Sequence, residues 1–135
     1  MDKLIAYTYY ATVVSVYDGD SLTLDIDLGF NTQRHQQAVR LAGCNAIELH
    51  EPGGTEARDN LLRVLPVGTL VLLKSVKYDK YGTRVDAELW QIDHAGNALP
   101  GGNVVANLAA QGWVALWGGK GPKPVPAWPR VVPAS

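Results

Sequence analysis

The chain has 135 residues, of which 47% are hydrophobic and 19% are charged, and its formal net charge is -1. This length and composition predict one folded domain rather than a disordered chain, and the charge excludes a protein that coats nucleic acid through bulk positive charge. No apolar run approaches the roughly 20 residues that span a bilayer, and the polar first residues differ from a signal peptide. We therefore expect a cytoplasmic protein that does not bind membranes.

The first third of the chain predicts three strands. Residues 7–17 are rich in Tyr, Thr and Val, which favours a strand. Asp18-Gly19 predicts a short hairpin turn because both residues tolerate positive φ. Residues 21–28 alternate between apolar and polar side chains, as a half-buried strand does. After a loop or ragged hairpin at 29–36, a third strand is predicted over about 37–44, with Arg40 on the face opposite its apolar neighbours.

Two helices and two further strands are predicted after this point. Residues 56–65 predict an amphipathic helix that Thr55 caps and Pro66 ends, with an apolar stripe formed by Ala57, Leu61, Leu62 and Leu65. Strands are predicted at 69–78 and 84–92. A second helix, 104–111, has Asn103 as its N-cap and Gly112 as its stop signal.

The predicted order of elements is strand, strand, strand, helix, strand, strand, helix. This mainly β arrangement is typical of a five-stranded OB-fold barrel. We assign residues 1–117 to this domain. Residues 118–135 are rich in Pro and Gly and predict an extended, poorly packed tail. Its cations Lys120, Lys123 and Arg130 either contact phosphate or merely keep the tail soluble.

Four short motifs fall on the turns and strand ends of this pattern. They are YDGDS at 17–21, VRLAGCNAIE at 39–48, DKYGTR at 79–84 and NLAAQG at 107–112. In this order and spacing, over residues 11–117, they resemble the staphylococcal nuclease family, and residues 24–30 resemble its phage and bacterial branch. The resemblance implies a calcium-dependent nuclease acting on DNA or RNA, with single-stranded or frayed substrates preferred, and we expect a monomer.

The resemblance also implies a metal site. The Asp20 carboxylate matches the first metal ligand of the family, Asn45 matches the second, and Ala46 matches the residue that offers a backbone carbonyl. All three provide oxygen, which a hard cation such as Ca²⁺ prefers.

The catalytic and substrate-binding residues follow from the same resemblance. Arg40 matches the arginine that grips the scissile phosphate, and Glu48 matches the glutamate that orients or activates the attacking water. Guanidinium groups suit a phosphate whose charge grows in the transition state. Lys80 and Tyr81 match residues that contact the nucleotide, and Arg84 is assigned the role of the family's second arginine.

Two positions depart from the family pattern. Asn45 stands where the family has an aspartate, and an amide brings no charge, so we expect weaker calcium binding; Glu51, on the same loop, is a candidate to compensate. The position of the family's second arginine is occupied by Thr83 in this chain, and Arg84 follows one residue later. Such a shift turns a side chain to the other face of a strand unless a bulge near Gly82 restores it.

Plainer interpretations stand beside these roles. Asp18-Gly19-Asp20 alone is a common turn, and Arg84 is also placed to pair with Asp86 or Glu88 on its own strand. Cys44 is better explained by packing than by nucleophilic chemistry. The alternative function is a nucleic-acid-binding or interaction module that has lost most of its catalysis. Three features favour that alternative: the neutral residue at 45, the displaced position of Arg84 and the near-neutral net charge. The joint presence of Asp20, Arg40 and Glu48 favours a nuclease.

Overall fold

The computed structural model describes residues 7–78 and 82–131. The elements in these ranges are β1 (Thr8–Asp18), β2 (Ser21–Gly29), β3 (Thr32–Leu41), β4 (Cys44–Ala46), α1 (Gly54–Val64), β5 (Leu70–Tyr78), β6 (Arg84–Ile92), β7 (Ala98–Asn103), α2 (Val104–Ala110) and β8 (Val114–Leu116). Neither helix is long and apolar enough to cross a bilayer.

Five of the strands close into a barrel. The main sheet has the order β3-β2-β1-β5-β6-β7, and β3 also pairs with β6, in parallel, through pairs such as Val39 with Val85. This last pairing joins the two ends of the five-stranded set and leaves β7 as an addition on β6. The prediction of a mainly β chain with a five-stranded barrel and two helices is confirmed, and the architecture is OB-fold-like.

The barrel core follows the alternation in the sequence. Leu22, Leu24 and Ile26 of β2 are buried, as are the apolar residues of β3 and β6 that face them. Leu28 belongs to the same face but is 43% exposed, because β2 and β3 continue beyond the barrel as a hairpin. The turn of this hairpin is formed by Phe30 and Asn31, with φ of 53° and 61°. The segment 29–36 is therefore a hairpin with much of β3 in it, not a loop.

The helix boundaries differ in part from those predicted. The N-cap of α1 is Gly53, without a side-chain hydrogen bond, and Thr55 lies inside the helix. Leu62 is 38% exposed, so the apolar stripe on α1 is narrower than predicted. The second helix agrees better, since the Asn103 side chain accepts a hydrogen bond from Ala106 N–H and Gly112 follows the helix with φ of 78°.

Three strands were not predicted. The short strands β4 and β8 pair with each other, with Asn45 opposite Ala115, and β7 lies along β6. In the chain, β4 follows β3 after a short turn, and β8 follows α2. The β4–β8 pair fixes the segment that carries Asn45 and Ala46 next to the barrel.

Residues 118–131 of the tail form no helix or strand, but this segment is not poorly packed along its whole length. Most of residues 118–131 are exposed, yet the segment contacts the barrel domain at several points. Near its end, the Arg130 guanidinium lies 4.4 Å from the ring of Trp113 and donates to the carbonyl of Gln111.

Candidate functional site

One cavity gathers most of the residues that the motifs singled out. It has a volume of about 390 Å³ and lies where the β1–β2 turn, the end of β3 and the start of β6 meet. The predicted site residues that line it are Asp20, Arg40, Asn45, Glu48 and Arg84. Ala46 does not line the cavity, but its backbone N–H donates to the Asp20 carboxylate. Lys80 and Tyr81 fall outside the described residues, and Glu51 lines a neighbouring groove instead.

The β1–β2 turn presents Asp20 to this cavity. Asp18 pairs with Ser21 across the turn, and the carboxylate of Asp18 accepts a hydrogen bond from the backbone N–H of Asp20 at 3.1 Å. The expected positive φ is not found at either residue of Asp18-Gly19. Glycine is needed at position 19 for another reason. A Cβ there would lie 2.8 Å from the Cβ of Ala46 and 2.9 Å from that of Ala57.

This close approach makes Gly19→Ala destabilising. The added methyl group has to push the turn away from β4 and α1, and such overpacking costs about 1–3 kcal/mol of unfolding free energy. Urea unfolding of both proteins measures the difference. Gly118→Ala is the matched control because a Cβ at Gly118 meets nothing within 4 Å. Equal stabilities of the two variants would contradict the packing argument.

The Asp20 carboxylate is buried and held from three sides. One oxygen accepts a hydrogen bond from the backbone N–H of Ala46 at 2.9 Å and from Arg40 Nη2 at 3.4 Å. The other accepts one from the Ser21 hydroxyl at 3.1 Å. The backbone carbonyl of Asp20 accepts a hydrogen bond from the N–H of Leu41 at 2.8 Å. These contacts tie the turn to β3 and β4, so that the position of the carboxylate is fixed by the barrel.

Arg40 connects Asp20 with Asn45. The same Nη2 atom that contacts Asp20 also donates to Oδ1 of Asn45 at 3.3 Å. A carboxylate oxygen and an amide oxygen thus converge on one point of positive charge. The Asn45 side chain is oriented by a second contact, in which its Nδ2 donates to the carbonyl of Pro124 at 2.9 Å.

Two oxygen atoms at this point suit a hard divalent cation. The side-chain oxygens of Asp20 and Asn45 already converge on a cationic group, that of Arg40. Ala46 contacts the Asp20 carboxylate through its backbone N–H. Among the described residues, no group of three or more His, Cys, Asp or Glu side chains is arranged to hold a metal. A Ca²⁺ ion here would therefore need oxygens from phosphate and water in addition to those of the protein.

A second carboxyl group lies beside Asp20. Burial raises the pKa of Asp18 to about 6, and the neighbouring Asp20 carboxylate adds to this effect. The two acids thus lie close together where burial makes negative charge unfavourable, and a bound cation would offset their repulsion.

Burial also raises the pKa of the Cys44 thiol to about 12, so Cys44 stays protonated and is a packing residue rather than a nucleophile.

Glu48 and Arg84 face the cavity as unpaired charges. Both side chains are exposed, and in the ranges 7–78 and 82–131 neither makes a hydrogen bond or an ion pair. The interpretation of Arg84 as a partner of Asp86 or Glu88 is therefore wrong within these ranges. The Arg84 guanidinium is therefore free to bind a phosphate, and the Glu48 carboxylate is free to accept a proton from an attacking water.

The parallel pairing of β3 with β6 determines where Arg84 points. It sets Arg84 opposite Ala38, two residues before Arg40 on β3, and so brings the two arginines to the same cavity. No bulge at Gly82 is needed for this. In the β5–β6 pairing, the irregularity lies between Ser75 and Lys77, and Gly82 itself has φ of 69°.

Two charged lining residues were not predicted as members of the site. Asp18 was interpreted only as a turn residue, although its place two residues before Asp20 on a tight hairpin puts both acids near each other. Lys123 lies in the tail, and it lines the cavity because the tail folds back. In the sequence Lys123 was one of three tail cations for which contact with phosphate and simple solubility were both open.

No protein-family model matches this chain, and no curated protein matches it either. The relation to the staphylococcal nuclease family thus stays a prediction that depends on the four motifs. What the structure establishes independently of them is an OB-fold-like barrel with a cavity in which acidic and basic side chains from distant parts of the chain meet.

Proposed function

We propose that this chain is a nuclease of the staphylococcal nuclease type, which hydrolyses phosphodiester bonds of DNA or RNA with the help of Ca²⁺. One observation carries the proposal. Two arginines, a buried carboxylate, an amide and a free glutamate, all separated in the sequence, line a single cavity. This combination of charges suits a phosphodiester with an attacking water better than it suits an uncharged ligand.

The metal would be held by Asp20, Asn45 and the carbonyl of Ala46. When bound, Ca²⁺ would neutralise phosphate charge and make a coordinated water more acidic. Since Asp20 is the only charged member of this set, the affinity for calcium should be modest, and phosphate oxygens of the substrate should contribute to it.

The remaining roles belong to the side chains of the chain itself. Arg40 and Arg84 would bind the non-bridging oxygens of the phosphate and stabilise the charge that builds up on them in the transition state. To do so, Arg40 would exchange its long contacts with Asp20 and Asn45, at 3.4 and 3.3 Å, for contacts with phosphate. Glu48 would orient the attacking water and accept its proton.

The test is cleavage of a labelled single-stranded DNA oligonucleotide and of the matching RNA. We expect products with calcium and none when a chelator removes it. Binding without cleavage at high protein concentration, with calcium present, would overturn the nuclease proposal and favour the binding module. One observation favours that second function. Arg40 donates to the same oxygens of Asp20 and Asn45 that a metal ion would need, and Asn45 brings no negative charge.

Asn45→Asp should tighten calcium binding by about an order of magnitude, because a second charged ligand would join Asp20. Isothermal titration of calcium into both proteins measures the change. Asn107→Asp is a matched control, since Asn107 is exposed and also donates its Nδ2 to a carbonyl, that of Gly101. If Asn45→Asp gives no gain over this control, position 45 does not contribute to a calcium site.

A further inference from the structure

The first half of the tail is attached to the rim of the cavity. The indole N–H of Trp117 donates to the carbonyl of Lys120 at 3.0 Å, and Nδ2 of Asn45 donates to the carbonyl of Pro124 at 2.9 Å. These two bonds hold the backbone on either side of Lys123. The second of them comes directly from a residue of the candidate metal site.

The second half of the tail is attached to the outside of the domain. The indole of Trp128 lies so close to Gly53, at the start of α1, that a Cβ on that glycine would be 2.5 Å from the ring. Farther on, Arg130 packs on Trp113 and donates to the carbonyl of Gln111. The tail is thus anchored on both sides of Lys123, which reduces the freedom of that residue to leave the cavity.

Lys123 adds a third cation to the cavity. Its Nζ atom lies 5.6 Å from the centre of the Trp117 ring, and the guanidinium of Arg40 lies 6.0 Å from the same ring. The indole therefore serves as a common surface for both cations. Lys123 also lines the neighbouring groove of about 400 Å³, which shares Asn45 and Glu48 with the cavity. It lies where the two spaces join.

We propose that Lys123 binds a phosphate next to the one that is cleaved, and that the tail is thereby part of the substrate site. The substrate class would be a polynucleotide chain, which runs from the cavity past Lys123 into the groove, rather than a small phosphodiester. This inference rests on the proposed function, because it assumes that the cavity receives a phosphodiester.

The balance of charge favours such a contact. The cavity contains the acids Asp18, Asp20 and Glu48 beside Arg40 and Arg84, and the whole chain carries a formal charge of -1. Apart from a bound Ca²⁺ ion, neither the protein as a whole nor the side chains of the cavity without Lys123 attract a polyanion strongly. A lysine at the junction offsets these acids where the next phosphate would pass, and its ammonium acts as a point charge that tolerates any sequence.

The test compares Lys123→Gln with Lys120→Gln, a variant with the same loss of charge. Lys120 lies in the same segment but its side chain lines neither space, and the bond from Trp117 uses only its backbone carbonyl. Binding of a fluorescein-labelled oligothymidylate is measured by anisotropy over a series of salt concentrations, with calcium present. Every protein in this assay carries Glu48→Gln so that the probe stays intact.

We expect Lys123→Gln to weaken binding several-fold and to lower the slope of log K against log salt by about 0.7, the value for one phosphate contact on a single strand. Lys120→Gln should keep the slope of the parent protein. In cleavage assays with Glu48 present, the loss caused by Lys123→Gln should be larger on the oligonucleotide than on bis-p-nitrophenyl phosphate, which has one phosphate.

Two results would overturn the inference in different ways. Suppose that the protein with Glu48 cleaves the oligonucleotide and the Glu48→Gln parent binds it, but both lysine variants keep the salt slope of that parent. The tail is then not part of the substrate site, and the proposed function still stands. If the parent protein does not bind the oligonucleotide at all, the proposed function fails together with the inference.

Discussion

Glu48→Gln should lower kcat for oligonucleotide cleavage by about 100- to 10,000-fold, which is the range expected when a general base is removed. The glutamine keeps the size and shape of the side chain but cannot accept the proton of the attacking water. Since Glu48 is exposed and unpaired within the described residues, the substitution should leave the fold intact. The measurement is kcat with saturating calcium, with thermal unfolding as a check on stability.

The matched control is Glu56→Gln. Glu56 is also exposed and lies in the first turn of α1, shortly after the loop that carries Glu48, but it does not line the cavity. It should retain the activity of the parent protein. Equal activities of Glu48→Gln and Glu56→Gln would remove Glu48 from the mechanism without saying anything about the fold.

Arg84→Gln should produce the second large effect, a decrease in kcat of about 100-fold or more, comparable to the loss of one oxyanion-stabilising donor. The guanidinium would contact the phosphate most strongly in the transition state, so kcat should fall more than KM rises. The effect of this variant is easier to assign to phosphate binding than the effect of a change at Arg40. Arg40 compensates the buried carboxylate of Asp20 at 3.4 Å, and its loss would disturb the site even without substrate.

The control for Arg84 is Arg58→Gln. Arg58 lies on α1 and pairs with Asp59 at 3.1 Å, away from the cavity, so this variant removes the same charge without touching the site. If Arg84→Gln cleaves as fast as Arg58→Gln, Arg84 is an ordinary surface arginine. The shift from position 83 in the motif would then mean that the second arginine has been lost.

The strands of the barrel could be predicted from the sequence because each is long enough to show an alternation of apolar and polar residues. In β2, the apolar residues at 22, 24 and 26 alternate with polar ones over several residues. By contrast, β4 and β8 contain three residues each, too few for a period. They exist as strands only because each finds the other across some 70 residues of chain, which no local pattern reveals.

The site was predictable as a set of residues but not as a geometry. Asp20, Arg40 and Glu48 could be named from motifs, since each belongs to a turn or strand end that its own neighbours specify. The direction of Arg84 could not, because a one-residue change in register reverses a side chain, and the register of β6 is set by its non-local pairing with β3. Gly19 was identified as a turn glycine, but its close approach to Ala46 and Ala57 is a property of the packed fold.

The sequence by itself therefore determined a mainly β barrel with its helices and the identity of most charged groups in the candidate site, since periodicity and short motifs are local. Only the tertiary structure decided that the tail folds back, that Pro124 orients Asn45, and that Lys123 and Arg84 face the same cavity as Asp20. The physical reason is that these contacts join segments far apart in the chain. Their formation depends on strand register and on which surfaces remain free once the barrel has closed.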